Sequence, residues 1–303
     1  MNNEKNLMYE AATLYYEKKY TQQEIASLLK LSRQTVSRLL NDAVKENIVE
    51  IKIHTPQKDC EELEKLICER FSLKSAVICS AASQNDYVRQ LMTVNAAVKY
   101  IIPLVEKGGL NIAVSWGRTM KEFIGQMPEV KTSDNLVFPL FGATDNNSYF
   151  SSNEMARDFA YKIGADVQYA WFPYLTDNEE DRVLMEKTGY YKKIQSLWGK
   201  IDIAIVGIGN KEVFDVFEKT FGYGIGASDV TGDIATHFFD ENGVFSEIYK
   251  NALCASEDDL KKAGQTVGIA CGDDKVKAIK GALRTGIIDV IITDEYTARK
   301  LVE

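Results

Sequence analysis

The segment from Thr21 to Asn47, TQQEIASLLKLSRQTVSRLLNDAVKEN, predicts two short helices joined by a tight turn. Thr21 can cap the first helix, with Glu24 completing a capping box, and Ser32 can cap the second helix. Lys30 stands in the turn, where such motifs usually carry glycine, so we expect it to adopt a left-handed conformation at some cost. This spacing of caps and turn is typical of a helix-turn-helix.

A small apolar core is expected beneath these helices. Ala26 falls where the two helices would cross closely, a place that accepts only a small side chain. A preceding amphipathic helix, expected from Asn6 to Lys18, would support the pair. The expected core members in the motif itself are Ile25, Leu28, Leu31, Val36, Leu39, Leu40 and Val44.

The outward side chains of the second helix carry hydroxyl, amide and guanidinium groups, which pair with base edges and phosphates in a major groove. We therefore predict that this helix enters double-stranded operator DNA. The plainer alternative is a helical hairpin with a polar face, but the caps, the small crossing residue and the polar surface all coincide. The expected DNA contacts are Thr21, Gln22, Ser32, Arg33, Gln34, Thr35, Ser37 and Arg38.

The net charge of -8 over 303 residues is unevenly distributed. Through Lys58 there are nine Lys and Arg against seven Asp and Glu, which leaves 27 against 37 for the remainder. A net charge of about +2 through Lys58 and about -10 in the remainder is compatible with DNA binding, because DNA phosphates interact with the local surface charge and not with the total. So small a positive charge favours a dimer or tetramer over a single head on DNA.

The five cysteines have neither CxxC nor metal-ligand spacing, so we expect reduced thiols, no metal site and no cofactor. The sequence carries no signal peptide, and its longest apolar runs fall short of a membrane span. We therefore expect a soluble, cytosolic protein that does not engage a membrane.

The chain divides into three parts by pattern. We expect a winged helix-turn-helix domain at residues 1–55, a linker helix at 56–72 and a larger domain at 73–303. The alternating run IVEIKI, Ile48 to Ile53, is the candidate wing. The linker helix carries an apolar stripe that could form an oligomer seam or pack on the body. Its members are Leu63, Leu66, Ile67 and Phe71.

From Ser75 onward, short β-branched strands alternate with helical stretches, which predicts a mainly parallel α/β sheet. The run His237 to Ile248 departs from this rhythm, since an Asn-Gly turn between apolar stretches indicates a hairpin. The expected strands are 75–79, 111–115, 136–140, 167–172, 201–206, 266–270 and 289–293.

Ligands of open α/β sheets sit beyond the carboxyl ends of the strands, where this chain places polar and glycine-rich loops. AVSWGRTM lies between a strand and a helix, a site suited to phosphate, although ordinary strand-to-helix turns look similar. Lys275 falls in the first turn of a helix, a placement that an anion would favour. Gly207 and Gly209 permit a ligand to approach the backbone, or serve only packing. Asp233 could accept sugar hydroxyls.

These motifs occur together in one family. The chain resembles the SorC family of sugar-binding bacterial regulators over essentially its whole length. The resemblance rests on SRQTVSRLL, VSWGRTM, LFGA, SSNEMA, VGIGN, GDIATHFFDENG and ACGDDKVKAIKGALRTGIIDVIITDEYTA. It implies a helix-turn-helix joined to a domain like glucosamine-6-phosphate deaminase and ribose-5-phosphate isomerase, without catalysis, that binds a phosphorylated sugar effector. It further implies a homotetramer, assembled as a dimer of dimers.

The resemblance also assigns residues. Ser115, Trp116, Gly117, Arg118 and Thr119 become the first phosphate loop, with Lys275 as the phosphate-binding cation. A second set of effector contacts is Gly142, Ala143, Asn153, Glu154, Gly207 and Asp233.

The chain departs from the family at Phe141, where some members are basic, and at Ala143, where a second glycine is usual. Because FPLFGA contains no lysine, a Schiff base at this loop is disfavoured.

The rival hypothesis is a sugar-phosphate isomerase or deaminase-like enzyme with a DNA-binding head. Such chemistry needs a poised acid or base. Of the two histidines, His54 lies after the wing and His237 lies within an apolar strand. Asp202 and Asp233 could act as bases, but the sequence presents no paired constellation, so we expect a regulator and not an enzyme.

Overall fold

The computed structural model describes residues 2–51, 60–80, 83–144, 151–215, 229–246 and 250–303. The chain forms two compact units, residues 1–57 and residues 58–303.

The first unit is helical. Helix α1 (Asn2–Ala12) continues into a π-helical turn (Thr13–Glu17), and α2 (Gln22–Leu29) and α3 (Arg33–Lys45) follow. One apolar cluster joins the three helices, so the motif carries its own core. Its buried members are Met8, Ala11, Ala12, Ile25, Ala26, Val36, Leu39, Leu40 and Ala43.

The local signals of the helix-turn-helix are confirmed. Thr21 and Glu24 form both halves of a capping box, and the Ser32 hydroxyl accepts a hydrogen bond from the Thr35 amide. Lys30 adopts the left-handed conformation, with φ 54° and ψ 43°. Each helix end therefore satisfies backbone groups that would otherwise be orphaned.

Three expectations for this unit were wrong or incomplete. Leu28 and Val44 are 56 % and 36 % exposed, so neither belongs to the core. Residues 48–51 form no strand; the rest of the candidate wing, and His54, lie outside the described residues. Amides 48 and 49 instead donate to the Ala43 carbonyl, which closes the end of α3.

The described residues of the second unit include nine strands. They are β1 (Ser75–Cys79), β2 (Asn111–Val114), β3 (Leu136–Pro139), β4 (Asp166–Val167), β5 (Ile203–Asn210), β6 (Gly232–Ile234), β7 (His237–Phe239), β8 (Gln265–Ile269) and β9 (Val290–Asp294). The helices among the described residues are α4 (Glu61–Phe71), α5 (Asp86–Val105), α6 (Arg118–Gln126), α7 (Ser152–Ile163), α8 (Glu179–Glu186), α9 (Gly189–Trp198), α10 (Glu257–Lys262), α11 (Val276–Arg284) and α12 (Glu295–Val302).

The main sheet has the order β1-β9-β8-β5-β2-β3-β4, and its strands are parallel. Strand β5 runs beyond the sheet and pairs antiparallel with β6, which pairs with β7. The mainly parallel α/β domain is thus confirmed. Because the strands are parallel, their carboxyl ends and the loops after them meet at one edge.

Helices cover both faces of the sheet, so the strands are buried almost throughout. On one face α5, α6 and α7 enclose a core with Ile101, Phe123 and Phe159. On the other face a larger core includes Ile67 of α4 and Ile279 of α11. Two covered faces explain why the strands are continuous apolar runs.

Helix α4, which the sequence assigns to a linker, packs on the second unit. Ile67 is fully buried, and Leu63 and Phe71 are half-buried against the same core. Leu66 is 48 % exposed, so it does not share the buried position of the other stripe residues. The contacts therefore indicate that most of the apolar stripe of α4 packs on the second unit.

Three details differ from the sequence expectation. The strand expected at 167–172 is only Asp166–Val167, and Trp171, within the expected strand, is 62 % exposed. Helices α8, α9 and α10 were not predicted. The Asn-Gly turn is confirmed: the Asp240 carboxylate accepts the amides of Asn242 and Val244.

All five cysteines are free thiols, as expected. Among the described residues, no helix combines the length and the apolar character that crossing a bilayer requires.

Candidate functional site

The exposed face of α3 begins with polar side chains. Arg33, Gln34 and Arg38 are exposed, whereas Thr35 and Ser37 are half-buried. The hydroxyls of Ser32 and Thr35 lie 2.8 Å apart and participate in the cap. The guanidinium groups of Arg33 and Arg38 and the amide group of Gln34 are therefore the most accessible groups on this helix for contact with another molecule.

At the start of α2, the Thr21 hydroxyl and the Thr21 amide both donate to the Glu24 carboxylate at 2.8 Å. Gln22 is half-buried beside it. Thr21 thus has a structural role as a cap, independent of any contact with DNA.

The loop after β2 lies beside the end of β5. The Ser115 hydroxyl is buried and accepts a hydrogen bond from the Gly207 amide at 3.1 Å. Gly117 has φ +111°, a conformation that favours glycine, and directly precedes α6. Trp116 and Thr119 are half-buried. The structure thereby brings together two sequence-predicted segments, at 115–119 and at 207.

The Lys275 side chain lies at this edge. The Lys275 ammonium donates to the Ile208 carbonyl at 3.0 Å, which fixes it beside the end of β5. Burial lowers the pKa of Lys275, the Asp274 carboxylate opposes this shift, and the charge of Arg118 adds to it. An ammonium that is partly desolvated and close to a second cation is a favourable partner for an anion.

Lys275 does not lie inside the first turn of an α-helix as expected. Asp273–Lys275 is a 3-10 turn, and Lys275 is the residue immediately before α11. Its side chain therefore extends beside the helix start, where anions are stabilised by the helix dipole.

Asp233 lies opposite Gly209 in the β5–β6 pair and is only 5 % exposed. Its carboxylate accepts the Thr236 amide at 3.2 Å. Burial raises the pKa of Asp233 to about 6, and the Thr236 amide and the charge of Lys275 oppose the shift. A Cβ on Gly209 would collide with the Asp233 carboxylate, so a larger residue at that position would displace the carboxylate.

The loop after β3 closes another side of this region. Phe141 is fully buried and packs edge-on against Trp116 and Tyr174, with centroids 5.4 and 5.7 Å away. The Gly142 amide donates to the Leu253 carbonyl, and the Ala143 amide to the Phe172 carbonyl. The departure at Phe141 therefore makes the base of the loop aromatic.

The start of α7 supports that loop. The Ser152 hydroxyl is buried and lies within hydrogen-bonding distance of the carbonyls of Phe141 and Gly142. The Asn153 amide group instead bonds both backbone groups of Ala170, and Glu154 is exposed. The structure thus gives Asn153 a packing partner, while Ser152, which was not singled out from the sequence, holds the loop.

Sequence reasoning missed Ser152 and underrated Gly209. The signal for Gly209 is its pairing with Asp233, which is visible only once β5 and β6 are aligned. Ser152 directly follows an N-cap residue, and its hydroxyl contacts residues ten and eleven positions back, which no helix pattern predicts.

The geometry removes two candidate acid–base groups, His237 and Asp202, from the enzyme hypothesis. The His237 ring nitrogen Nε2 lies 2.8 Å from the Ala255 carbonyl, and burial lowers the pKa of His237. Asp202 accepts the Asn111 amide at 2.7 Å, a structural bond between strands. Neither group is poised for proton transfer in a cleft.

An Asp233→Asn variant should be more stable than the native chain at neutral pH. The raised pKa means that the native state retains a proton that the unfolded state has lost, so this carboxyl stabilises the fold at acid pH. That contribution disappears as pH rises from about 4 to 6, and the variant should gain about 2–3 kcal/mol over this window. Urea unfolding at each pH measures it; a difference constant from pH 4 to pH 7 would contradict the assignment.

Comparison with known proteins follows the same division of the chain. The Sugar-bind family model, a sugar-binding domain, matches residues 55–303, and a Crp-like helix-turn-helix model matches residues 7–66. The chain is similar to the sorbitol operon regulator of Klebsiella pneumoniae, with 30 % identity over 98 % of both chains. It is equally similar to the deoxyribonucleoside regulator of Bacillus subtilis strain 168, with 30 % identity over 100 % of this chain and 99 % of the relative.

Solved structures agree. The full-length sorbitol operon regulator SorC from Klebsiella pneumoniae superposes with a TM-score of 0.73 at 28 % identity, covering 99 % of this chain and all of that chain. A helix-turn-helix unit and a sugar-binding α/β unit together define a DNA-binding transcriptional regulator. The chain belongs to the SorC/DeoR family of sugar-binding transcriptional regulators. These relatives are transcriptional regulators and not enzymes.

Proposed function

We propose that the protein controls a carbohydrate-utilisation operon, and that a phosphorylated sugar sets its affinity for the operator. The names of the relatives support the class of target, since they regulate sorbitol, deoxyribonucleoside and erythritol genes. The observation that carries the proposal is the Lys275 ammonium, held at the end of β5 by the Ile208 carbonyl, whose pKa responds to the charges of Arg118 and of the buried Asp233.

The phosphate is anchored at residues 115–119 and Lys275. Backbone amides at the start of α6 point out of the helix, and the helix dipole favours an anion there. Lys275 and Arg118 supply the charge, while the hydroxyls of Ser115 and Thr119 supply short hydrogen bonds. Binding a phosphate dianion also relieves the repulsion that the two cations exert on each other.

The sugar is held by Asp233 and by the loop around it. A buried carboxylate with one backbone donor has capacity left for hydroxyl donors, and sugar hydroxyls match that need. Gly207 leaves the β5 backbone open to close approach, whereas the Asp233 carboxylate occupies the space over Gly209. The Trp116 ring offers an apolar surface. Gly142, Ala143, Asn153 and Glu154 complete the proposed effector contacts, with Asn153 acting through its bonds to Ala170.

The DNA contacts are those proposed from the sequence. Arg33, Gln34 and Arg38 contact base edges or phosphates directly. The cap hydroxyls of Thr21, Ser32 and Thr35, with Gln22 and Ser37, form polar contacts at the helix starts. The partner is double-stranded operator DNA.

Arg38→Ala should weaken operator binding about tenfold, because one guanidinium contact to a base or phosphate is removed. Stability should change by less than about 0.5 kcal/mol, since Arg38 is exposed. Fluorescence anisotropy on operator DNA measures the affinity. The matched control is Lys45→Ala, an exposed cation at the far end of α3. An Arg38→Ala complex as tight as the native one would remove Arg38 from the interface.

Regulation is a population shift. The effector favours one arrangement of the loops at 115–119 and 272–275, and that arrangement alters the spacing of paired recognition helices. Useful coupling of this kind is about 1–3 kcal/mol, or roughly 5- to 150-fold in DNA affinity.

We further propose a homotetramer, a dimer of dimers, in the cytoplasm. Residues 1–55 form the DNA-binding domain, 56–72 a linker helix and 73–303 the effector and assembly domain. Operators of helix-turn-helix proteins are two-fold, so paired heads match them. Sedimentation equilibrium should give a mass four times that of the 34.0 kDa chain; a monomer at micromolar concentration would contradict this.

Isothermal titration calorimetry with matched pairs of sugars tests the ligand class. We expect one phosphorylated sugar to bind and its unphosphorylated form to bind at least about 100-fold more weakly, because the charged contacts are lost. Equal binding of both forms would refute the phosphate anchor while leaving a sugar site in place.

A further inference from the structure

A buried arginine lies next to the proposed phosphate site, outside every motif that the sequence singles out. Arg89, in the first turn of α5, is only 2 % exposed. Its guanidinium donates to the Gln84 carbonyl at 3.1 Å and to the Asp86 carboxylate. It also lies over the Tyr296 ring, 4.6 Å from the centroid. A buried cation of this kind persists only where partners compensate its charge.

One set of those partners leads to Gly272. Arg89 Nε lies 3.6 Å from Asp294 Oδ1, and Asp294 is fully buried. The Asp294 carboxylate accepts the Thr297 hydroxyl at 2.5 Å, and that hydroxyl accepts the Gly272 amide at 2.9 Å. The carboxylate that Arg89 neutralises therefore orients the group that holds Gly272.

A second contact leads to the next residue. Arg89 Nη2 lies 3.6 Å from Asp273 Oδ1, and Lys300 Nζ lies 3.0 Å from Asp273 Oδ2. Asp273 begins the 3-10 turn that ends at Lys275, where the Lys275 amide donates to the Gly272 carbonyl. Two consecutive residues at the base of the turn are thus tied to one guanidinium.

We propose that Arg89 is a positioning residue for the effector site: it fixes the turn at 272–275 and thereby the Lys275 ammonium. The inference rests on the proposed function, in which Lys275 binds the phosphate. Arg89 does not touch the ligand. It acts through Asp273 and through Asp294 and Thr297.

The planar fork explains why arginine occupies this position. From one rigid group it donates hydrogen bonds to the Gln84 carbonyl and the Asp86 carboxylate, and it lies 3.6 Å from carboxylate oxygens of Asp273 and Asp294 as an ion-pair partner. A single ammonium cannot match this arrangement. Arg89 also offsets the charge of Asp273, a carboxylate that would otherwise repel an anion bound at Lys275. One residue thereby sets both the geometry and the local charge.

Hydrogen exchange of the ligand-free full-length protein tests this. We compare Arg89→Lys and Asp273→Asn with the native chain and follow peptides that cover residues 272–275. Both variants should accelerate exchange there about tenfold, because a charged tether is lost. The control is Asp86→Asn, which removes another carboxylate partner of the Arg89 guanidinium. The Asp86 side chain is 69 % exposed and is not part of the turn. This variant should leave exchange at 272–275 unchanged.

Exchange that is unchanged in Arg89→Lys, or that accelerates equally in Asp86→Asn, would overturn the proposal. Calorimetry with inorganic phosphate provides the second readout: Arg89→Lys should bind phosphate about tenfold more weakly and Asp86→Asn should bind it as the native chain does. If the native protein binds no phosphate, the proposed phosphate site fails, whereas the exchange rates alone still decide whether Arg89 fixes the turn.

Discussion

Operator binding by a Lys275→Met variant is expected to lose its response to phosphorylated sugars at concentrations that saturate the native protein. Effector affinity should fall about 100-fold, because a partly desolvated ammonium makes a strong charge-assisted bond to phosphate. Methionine preserves most of the side-chain volume. Since burial lowers the pKa of Lys275, its charge contributes little to the fold, and removing it should cost no more than about 1 kcal/mol.

Lys277→Met is the matched control, because Lys277 is an exposed lysine in the first turn of α11, two residues after Lys275. It should respond to effector as the native chain does. Calorimetry gives the effector affinity, and anisotropy on operator DNA gives the response. A Lys275→Met protein that responds at native effector concentrations would exclude Lys275 as the phosphate ligand.

A Gly142→Ala variant is expected to be destabilised by about 3 kcal/mol or more, since overpacking against backbone cannot be relieved by a rotamer change. A Cβ at this position would lie 2.4 Å from the Pro173 carbonyl oxygen and 2.7 Å from that of Phe172. The loop would have to separate from the strand-like segment at 172–173, to which the Ala143 amide is bonded. Chemical denaturation of the full chain measures the loss.

Gly125→Ala makes the same chemical change where a Cβ meets nothing within 4 Å. Gly125 lies in α6 and is exposed, so alanine should stabilise the protein by about 0.5–1 kcal/mol. Opposite signs for the two glycines are expected. Equal stability of Gly142→Ala and the native chain would mean that the loop after β3 is free to move, which its hydrogen bonds contradict.

The site combines groups that are unfavourable for folding. Asp233 is buried with a pKa near 6, and Lys275 is a desolvated ammonium with a lowered pKa. Each carries an energetic cost in the free protein that a bound phosphosugar offsets through hydroxyl and phosphate contacts. Such a balance makes the local structure responsive to ligand, as the proposed population shift requires.

The sequence predicted those parts of the fold that local chemistry determines. The caps at Thr21 and Ser32, and the left-handed Lys30, depend on residues three or four positions apart, so the pattern alone is sufficient. The parallel strands were predicted because both of their faces are covered, which leaves continuous apolar runs. In contrast, Leu28 and Val44 were expected in the core and are exposed, because apolar character does not by itself dictate burial.

The candidate site was predictable only in part. Ser115, Gly207 and Lys275 stand at strand ends, and the parallel topology brings such positions to one edge. The close approach of Asp233 to Gly209 depends on contacts between distant segments. The position of the Ser152 hydroxyl against the loop after β3 depends on such contacts as well. Arg89 is the clearest case: its position on a helix predicts a solvated side chain, whereas three carboxylates from separate segments surround it.

The most direct test of the central claim is an anisotropy titration of the full-length protein on DNA from upstream of its own operon, with matched phosphorylated and plain sugars. We predict a salt-dependent, sequence-specific affinity that one phosphosugar shifts by roughly 5- to 150-fold and its unphosphorylated form does not. Specific binding that no phosphosugar alters would contradict effector control. The absence of any specific binding would contradict the assignment of α3 as the DNA-reading helix.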